Sequence, residues 1–221
     1  MPDHNALIID QPASVLDALQ SLGVTREAVV HIAKSAVSAR SEYLPGIDAV
    51  NFPGTRAYQE GIRQTRLRLK ALPQGWVTRK FNNIELVYSA DLGVMVGFQN
   101  VDRACGDVHP KAISERGEGT RQLVSLPYQR SLFGGSKTGT TSQAVGAFPV
   151  IWFICVAAHE DRIQVEVSRP KPFTSDQFEG FYERIFIADE PVNDKPLSGV
   201  VVDDQVDEPE IFISKKQNGN S

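Results

Sequence analysis

The run Val150–Ala157, apolar on every side chain, is followed by a charged tip and then by the alternating run Arg162–Ser168. No other stretch limits the folds open to this chain so strongly. A strand with apolar side chains on both faces has to lie inside a sheet covered on both sides. In the second run, Ile163, Val165 and Val167 fall on one face and Gln164, Glu166 and Ser168 on the other, as the two-residue period of a strand requires. The pair reads as a hairpin, its first strand central and its second turning a polar face to solvent.

Helical patterns dominate the N-terminal part. Ser14–Leu22 carries an apolar stripe of Val15, Ala18, Leu19 and Leu22, with Ser14 as the expected N-cap and Gly23 at the left-handed exit. A second helix opens after Thr25 and runs to about Tyr43, with Val29, Ile32, Ala33, Ala36 and Val37 on one side. The Pro53-Gly54 break precedes a third, Thr55 to Leu72. Short strands follow at Trp76–Lys80, Ile84–Ala90 and Gly93–Gln99, with an Asn82-Asn83 turn between the first two. Residues 100–119 have no period and read as a loop, and a helix over Gly119–Phe133 is interrupted by Pro127. Phe178–Ile187 is a further strand, with Tyr182, Arg184 and Phe186 on one side. Gly199–Val202 and Ile211–Ile213 are short apolar pieces suited to edge strands. The expected class is α+β: N-terminal helices packed on a mostly antiparallel β-sheet, as a single domain over residues 1–188.

A Pro-containing acidic C-terminal segment, residues 189–221, completes the chain. It carries 8 acidic and 3 basic residues, whereas residues 1–188 balance 20 basic against 19 acidic. The net charge of −4 therefore belongs to this segment. Two cysteines in 221 residues, no apolar stretch long enough for a membrane span and no basic-then-apolar leader fit a soluble chain of a reducing, cytoplasmic compartment.

The strongest local field lies between Thr55 and Lys80. Arg56, Arg63, Arg66, Arg68, Lys70, Arg79 and Lys80 face the single acid Glu60. A helix so charged suits a phosphate backbone or an acidic protein partner. It also suits a solvated surface or the chain's own acidic segment. Aromatic residues for base stacking are few there: Tyr58, Trp76 and Phe81.

The second reading is catalytic. Asp102, Asp107, His109, Glu115 and Glu118 crowd the loop after the third strand, and Glu166 stands on the polar strand face. Asp107 with Glu166 is the candidate catalytic pair of a metal-dependent hydrolase, holding Mg²⁺ through carboxylate oxygens. Glu166-Val167-Ser168 is similar to the E-x-K element of restriction-endonuclease-like nucleases, with serine where that family has lysine. The third reading is a structural or assembly protein without catalysis.

Two further patterns fall short. Gly134-Gly135-Ser136-Lys137-Thr138-Gly139 lacks the glycine spacing of a Walker phosphate loop. It is similar to the Lys-Thr-Gly element of penicillin-binding proteins and serine β-lactamases over about eight residues, but the S-D-N element of that family is missing. Cys105/His109 and Cys155/His159 share C-x-x-x-H spacing. Four residues of extended strand span roughly 13 Å, too far for both members of the second pair to hold one zinc ion.

The expectation is therefore a cytoplasmic interaction protein, associated with nucleic acid through its basic helix, with the hydrolase and the assembly protein as alternatives.

Overall fold

The computed structural model describes residues 6–132, 149–159 and 162–191. They build a seven-stranded mixed sheet in the order β1-β7-β6-β5-β4-β3-β2. The strands are β1 Leu7–Ile9, β2 Val77–Phe81, β3 Ile84–Ser89, β4 Val94–Asn100, β5 Val150–Ala158, β6 Arg162–Pro170 and β7 Phe181–Pro191. β2–β3–β4 and β5–β6–β7 are antiparallel meanders, and β4–β5 and β1–β7 pair in parallel. A parallel neighbour needs a crossover connection, and the helix α4, Glu118–Leu132, lies in the chain between β4 and β5.

Three helices cover one face of the sheet. α1 spans Pro12–Ser21 with Gln11 as its N-cap, three residues earlier than the expected Ser14 cap, because Pro12 at the first helical position supplies the required φ. α2, Arg26–Ser38, is capped by Thr25, whose hydroxyl accepts the Ala28 N–H at 3.1 Å. It tightens into a 3-10 turn over Ala39–Glu42 instead of running on to Tyr43. α3, Phe52–Lys70, takes Pro53 and Gly54 into its first turn, so this dipeptide starts the helix and does not break the chain before it. Val29, Ile32, Ile62 and Leu69 from the helices meet Val96, Phe98, Trp152, Ile154, Val165 and Ile185 from the sheet. Gly61 lets α3 approach closely, since a Cβ there would stand 2.4–2.5 Å from the Phe98 ring.

The other face is covered too, by chain that carries no sequence period. Residues 101–117, the start of α4 and residues 171–180 bury Leu86, Ile151, Phe153, Cys155 and Ala157. The Phe178 ring lies 5.3–5.6 Å from those of Phe153, Phe173 and Phe181, distances at which each aromatic pair adds about 0.5–1.5 kcal/mol beyond area burial. β5 is central as expected. Trp152, Ile154 and Val156 feed the helical side, and Phe153, Cys155 and Ala157 the other.

The polar face of β6 departs from expectation. Gln164, Glu166 and Ser168 do lie opposite Ile163, Val165 and Val167, but Glu166 and Ser168 are fully buried under residues 101–112. Alternation separates two faces; it does not say which of them water reaches. α4 runs through the position of Pro127 without a break. Gly134–Gly146, Gly199–Val202 and Ile211–Ile213 lie outside the described residues, as does the acidic segment apart from Asp189, Glu190 and Pro191. Among the described residues, no helix is long and apolar enough to cross a membrane.

Candidate functional site

The seven basic candidates divide according to the geometry of α3 and β2. At 3.6 residues per turn, Arg56, Arg63 and Lys70 recur every seven residues and stay within an arc of about 40° on the solvent side of α3. Arg66 lies beside them, toward β3. Arg68 points to the opposite flank, where its Nη2 sits 2.5 Å from His31 Nε2 of α2. On β2 the two-residue period separates neighbours. Lys80 pairs with Glu85 on the helical side of the sheet, and Arg79 stacks over the Tyr88 ring on the other side, 5.8 Å from its centroid. The expected run of seven is thus five on one surface, Arg56, Arg63, Arg66, Lys70 and Lys80, with Arg68 and Arg79 elsewhere.

Carboxylates temper this surface. Glu42 accepts from Arg56 at 2.5 and 3.0 Å, and Glu60 accepts from Arg63 at 3.2 Å. Arg63 and Gln64 hold the Glu60 carboxyl below the usual carboxylate range in spite of its partial burial. Glu85 binds Arg66 and stands 3.8 Å from Lys80, which ties α3 to the edge strand. Lys70 has no partner among the described residues. Among the described residues, two of the five charges remain in excess. Among the described residues β2 pairs only with β3, no other strand lies on its outer edge, and Val77–Lys80 are all exposed.

Glu166 occupies a different environment. Arg184 Nε and Nη2 donate to its two oxygens at 2.9 and 2.6 Å, with both side chains at 0 % exposure. Ser168 Oγ donates at 2.6 Å and the Cys105 N–H at 2.8 Å, while Arg184 Nη1 donates to the Gly106 carbonyl at 2.7 Å. A β-bulge at Ile187 on β7, opposite Val165/Glu166, adjusts the register beside this pair. Cys105 takes a left-handed φ of 54°, which turns its N–H toward Glu166. Its thiol lies 3.1 Å from the Val165 carbonyl and 3.3 Å from that of Ala188. Burial, and then the Glu166 charge, push that thiol up to about 12.

The carboxylates of the hydrolase reading do not converge. Asp107 is exposed. Asp102 accepts the Lys111 N–H and pairs with Arg103, and Glu118 pairs with Arg121. Among the described residues no group of three or more His, Cys, Asp or Glu side chains is arranged to hold a metal ion. Glu166, with both oxygens engaged and no solvent contact, has no lone pair aimed at a cation or a water nucleophile. His109 packs on Phe181 at 5.5 Å, whereas Cys155 is buried in β5 and His159 is exposed beyond it. One S-x-x-K spacing exists, Ser168 to Lys171, but Ser168 is buried on a strand with its hydroxyl on Glu166.

A site that the sequence did not suggest lies where the sheet forks. The β3–β4 ladder ends at Leu86/Gly97, yet β3 continues along β2 to Ile84 and β4 along β5 to Asn100. Arg116 reaches Gln99, which pairs with Cys155 of the second core, and Tyr58 of α3 packs near Phe98 on the helical side. Arg116 Nη1 donates to Gln99 Oε1 at 2.5 Å and Nε to the Ser114 carbonyl at 3.1 Å. No periodicity marks Arg116, so pattern alone had no means of finding it.

No family model matches the chain, and neither a curated protein nor a solved structure matches it.

Proposed function

We propose that the protein is a polyanion-binding module whose α3 surface engages nucleic-acid phosphates, without catalysis of its own. The observation that carries this reading is the seven-residue recurrence of Arg56, Arg63 and Lys70 along the solvent side of α3, with Arg66 and Lys80 joined to it through Glu85. From Arg56 to Lys70 this row extends about 21 Å, enough to follow several successive phosphates of one strand. The exposed edge strand β2 continues the surface beyond the helix.

Glu42, Glu60 and Glu85 support a modest affinity and a surface that exchanges partners. A phosphate displaces a carboxylate from its arginine at low cost, because exposed ion pairs contribute little. The deciding measurement is the salt dependence of binding to duplex and single-stranded oligonucleotides. Binding that weakens steeply with salt in the parent and is flattened in Arg63→Ala/Lys70→Ala supports the reading. Absence of binding at low salt, or a slope indifferent to both substitutions, refutes it. An acidic protein partner would give the same sensitivity with a peptide but none with an oligonucleotide.

A further inference from the structure

β4, β5 and β7 run in one direction, and Asn100, Val156, Val165 and Ala188 stand in one row across the sheet. Three strand spacings make that row about 14 Å wide. At one end of it α3 begins, since Asn100 Nδ2 donates to the Gly54 carbonyl at 3.0 Å. At the other end β7 runs on from Ala188 to Pro191, where the described chain stops. Glu190 draws this exit onto the helical layer, with its carboxylate 3.3 Å from Lys34 Nζ and 3.7 Å from Arg26 Nη2, both of α2. α2 in turn packs on α3, where Arg68 meets His31. Residues 192–221 therefore depart close to the start of α3, on the same side of the sheet.

The surface beside that exit has two parts in a fixed order. The turn that leads into α3 carries Leu44, Ile47 and Val50, which are 56, 79 and 92 % exposed. This turn is braced. The Ile47 and Asp48 N–H groups donate to the Leu44 carbonyl at 3.1 and 3.0 Å, and the Asp48 carboxylate accepts the Leu44 N–H at 2.8 Å. Large apolar side chains held out to solvent on one turn mark an interaction surface. Next comes the row Arg56, Arg63 and Lys70, about 21 Å long. Glu42 and Glu60 offset its first two members, and Lys70 has no partner among the described residues. The C-terminal segment repeats this order. Val200, Val201 and Val202 come first, and residues 203–210 then hold Asp203, Asp204, Asp207, Glu208 and Glu210 with no cation among them. Residues 192–199 can span up to about 26 Å, well beyond the width of the row that separates the exit from α3. Residues 203–210 can span as much again, enough to follow the cations from end to end.

We infer that residues 200–210 dock on the α3 surface of their own chain, the three valines against Leu44, Ile47 and Val50 and the five acids along Arg56, Arg63 and Lys70. Each exposed ion pair is weak, but a segment tethered this close acts at an effective concentration in the millimolar range, so weak contacts suffice. Salt screens them and loosens the contact. The docking stands on the charges and geometry of the chain itself and rests on the α3 reading only for its consequence. Acids on the row occupy the cations that phosphates would use, so the segment competes with a polyanion for α3.

Zero-length carbodiimide cross-linking of the full chain at low salt, with the links located by peptide mass spectrometry, tests the contact. Links from Lys70 to the acids of residues 203–210 are expected to be about tenfold or more richer than links from Lys111. Lys111 is exposed within the segment that covers the other face of the sheet. The Lys70 links should vanish in about 1 M salt. Arg63→Ala and Ile47→Ser/Val50→Ser, at exposed positions that leave the fold intact, are each expected to lower their yield about twofold or more. Lys70 links no richer than those of Lys111, or a yield unmoved by either variant, overturn the docking. An equal mixture of ¹⁵N-labelled and unlabelled chains separates the occupants. Links confined to one isotope assign the segment to its own chain, whereas mixed links assign it to a second copy and overturn the intramolecular contact. A single strand of about 12 nucleotides, added before the reagent, is expected to suppress the Lys70 links. Links that persist beside a bound strand sink the α3 reading and leave the docking standing. Absent links with strand binding intact sink the docking alone.

Discussion

Arg184 reaches Glu166 diagonally across the β6–β7 pair, two nitrogens on two oxygens, at a point where neither side chain touches solvent. The pair also fastens residues 105–106 to the sheet, because the Cys105 N–H ends on Glu166 and the Gly106 carbonyl on Arg184. An ion pair of this kind is a joint between layers as much as a contact between two charges.

Glu166→Gln leaves the Arg184 cation buried without its counter-ion and is expected to lose about 3–5 kcal/mol in urea denaturation. A bare buried pair replaced by apolar residues can break even. Here Glu166→Leu/Arg184→Met strands the Cys105 N–H, the Ser168 hydroxyl and the Gly106 carbonyl, each at about 1–3 kcal/mol. The double variant should therefore remain well below the parent. Full recovery of stability would show that those three groups find other partners.

Cys105 should be chemically quiet. Raising the thiol from 9.0 to about 12 lowers its thiolate fraction at pH 8 by roughly a thousandfold. Alkylation of the native protein by iodoacetamide at pH 8 should be slower than that of the unfolded chain by a comparable factor. The folded value lies above the unfolded one, so the stabilising preference for the neutral thiol is complete below about pH 9. It is lost as pH climbs toward 12. Cys105→Ser removes that part of the alkaline decline in stability, measurable by denaturation across pH 8–11.

Two glycines of α3 make opposite predictions. A Cβ at Gly61 would meet the Phe98 ring at 2.4–2.5 Å, and a Cβ at Gly54 would meet nothing within 4 Å. Gly61→Ala should destabilise by about 1–3 kcal/mol through overpacking. Gly54→Ala should stabilise by up to about 1 kcal/mol through helix propensity. Thermal unfolding of the two variants side by side checks both signs.

Removing two cations from the α3 row has a defined electrostatic signature. For duplex DNA the slope of log K against log salt changes by about 0.9 per phosphate contact. Arg63→Ala/Lys70→Ala should therefore flatten it by about 2, whereas Arg79→Ala, on the far face of β2, should leave it nearly unchanged. Equal effects from the two sets would place the binding surface elsewhere.

The parts legible in the sequence are those with a period. The hairpin β5–β6, the helices α1 to α3 and the strands β2 to β4 each repeat an apolar face that elementary geometry turns into an element. What had no period gave no sign of its burial. Residues 101–117 read as loop and hold no helix or strand, yet they supply Ala104 and Ala112 to the second core, as residues 171–180 supply Phe173 and Phe178; the strand expected from Phe178 begins at Phe181. Their burial comes from contacts far apart in the chain, such as Gln177 with both the N–H and the carbonyl of Ala112. Glu166 read as a solvent-facing carboxylate for the same reason. The signal that pointed the other way was Arg184, an opposite charge on the polar side of a strand able to pair with β6. β1, at three residues, is too short for any pattern, and only its partner β7 makes it a strand.

That pairing has a temporal side. Leu7, Ile8 and Ile9 align in parallel with Glu183, Arg184 and Ile185, so the first strand described docks on the last one. During synthesis Leu7–Ile9 cannot join the sheet before β7 has been made. Contacts between such distant residues slow folding because a long loop has to close before they form. The stretch from Ala6 to Asp10 is thus the natural place for a late folding step to be seen.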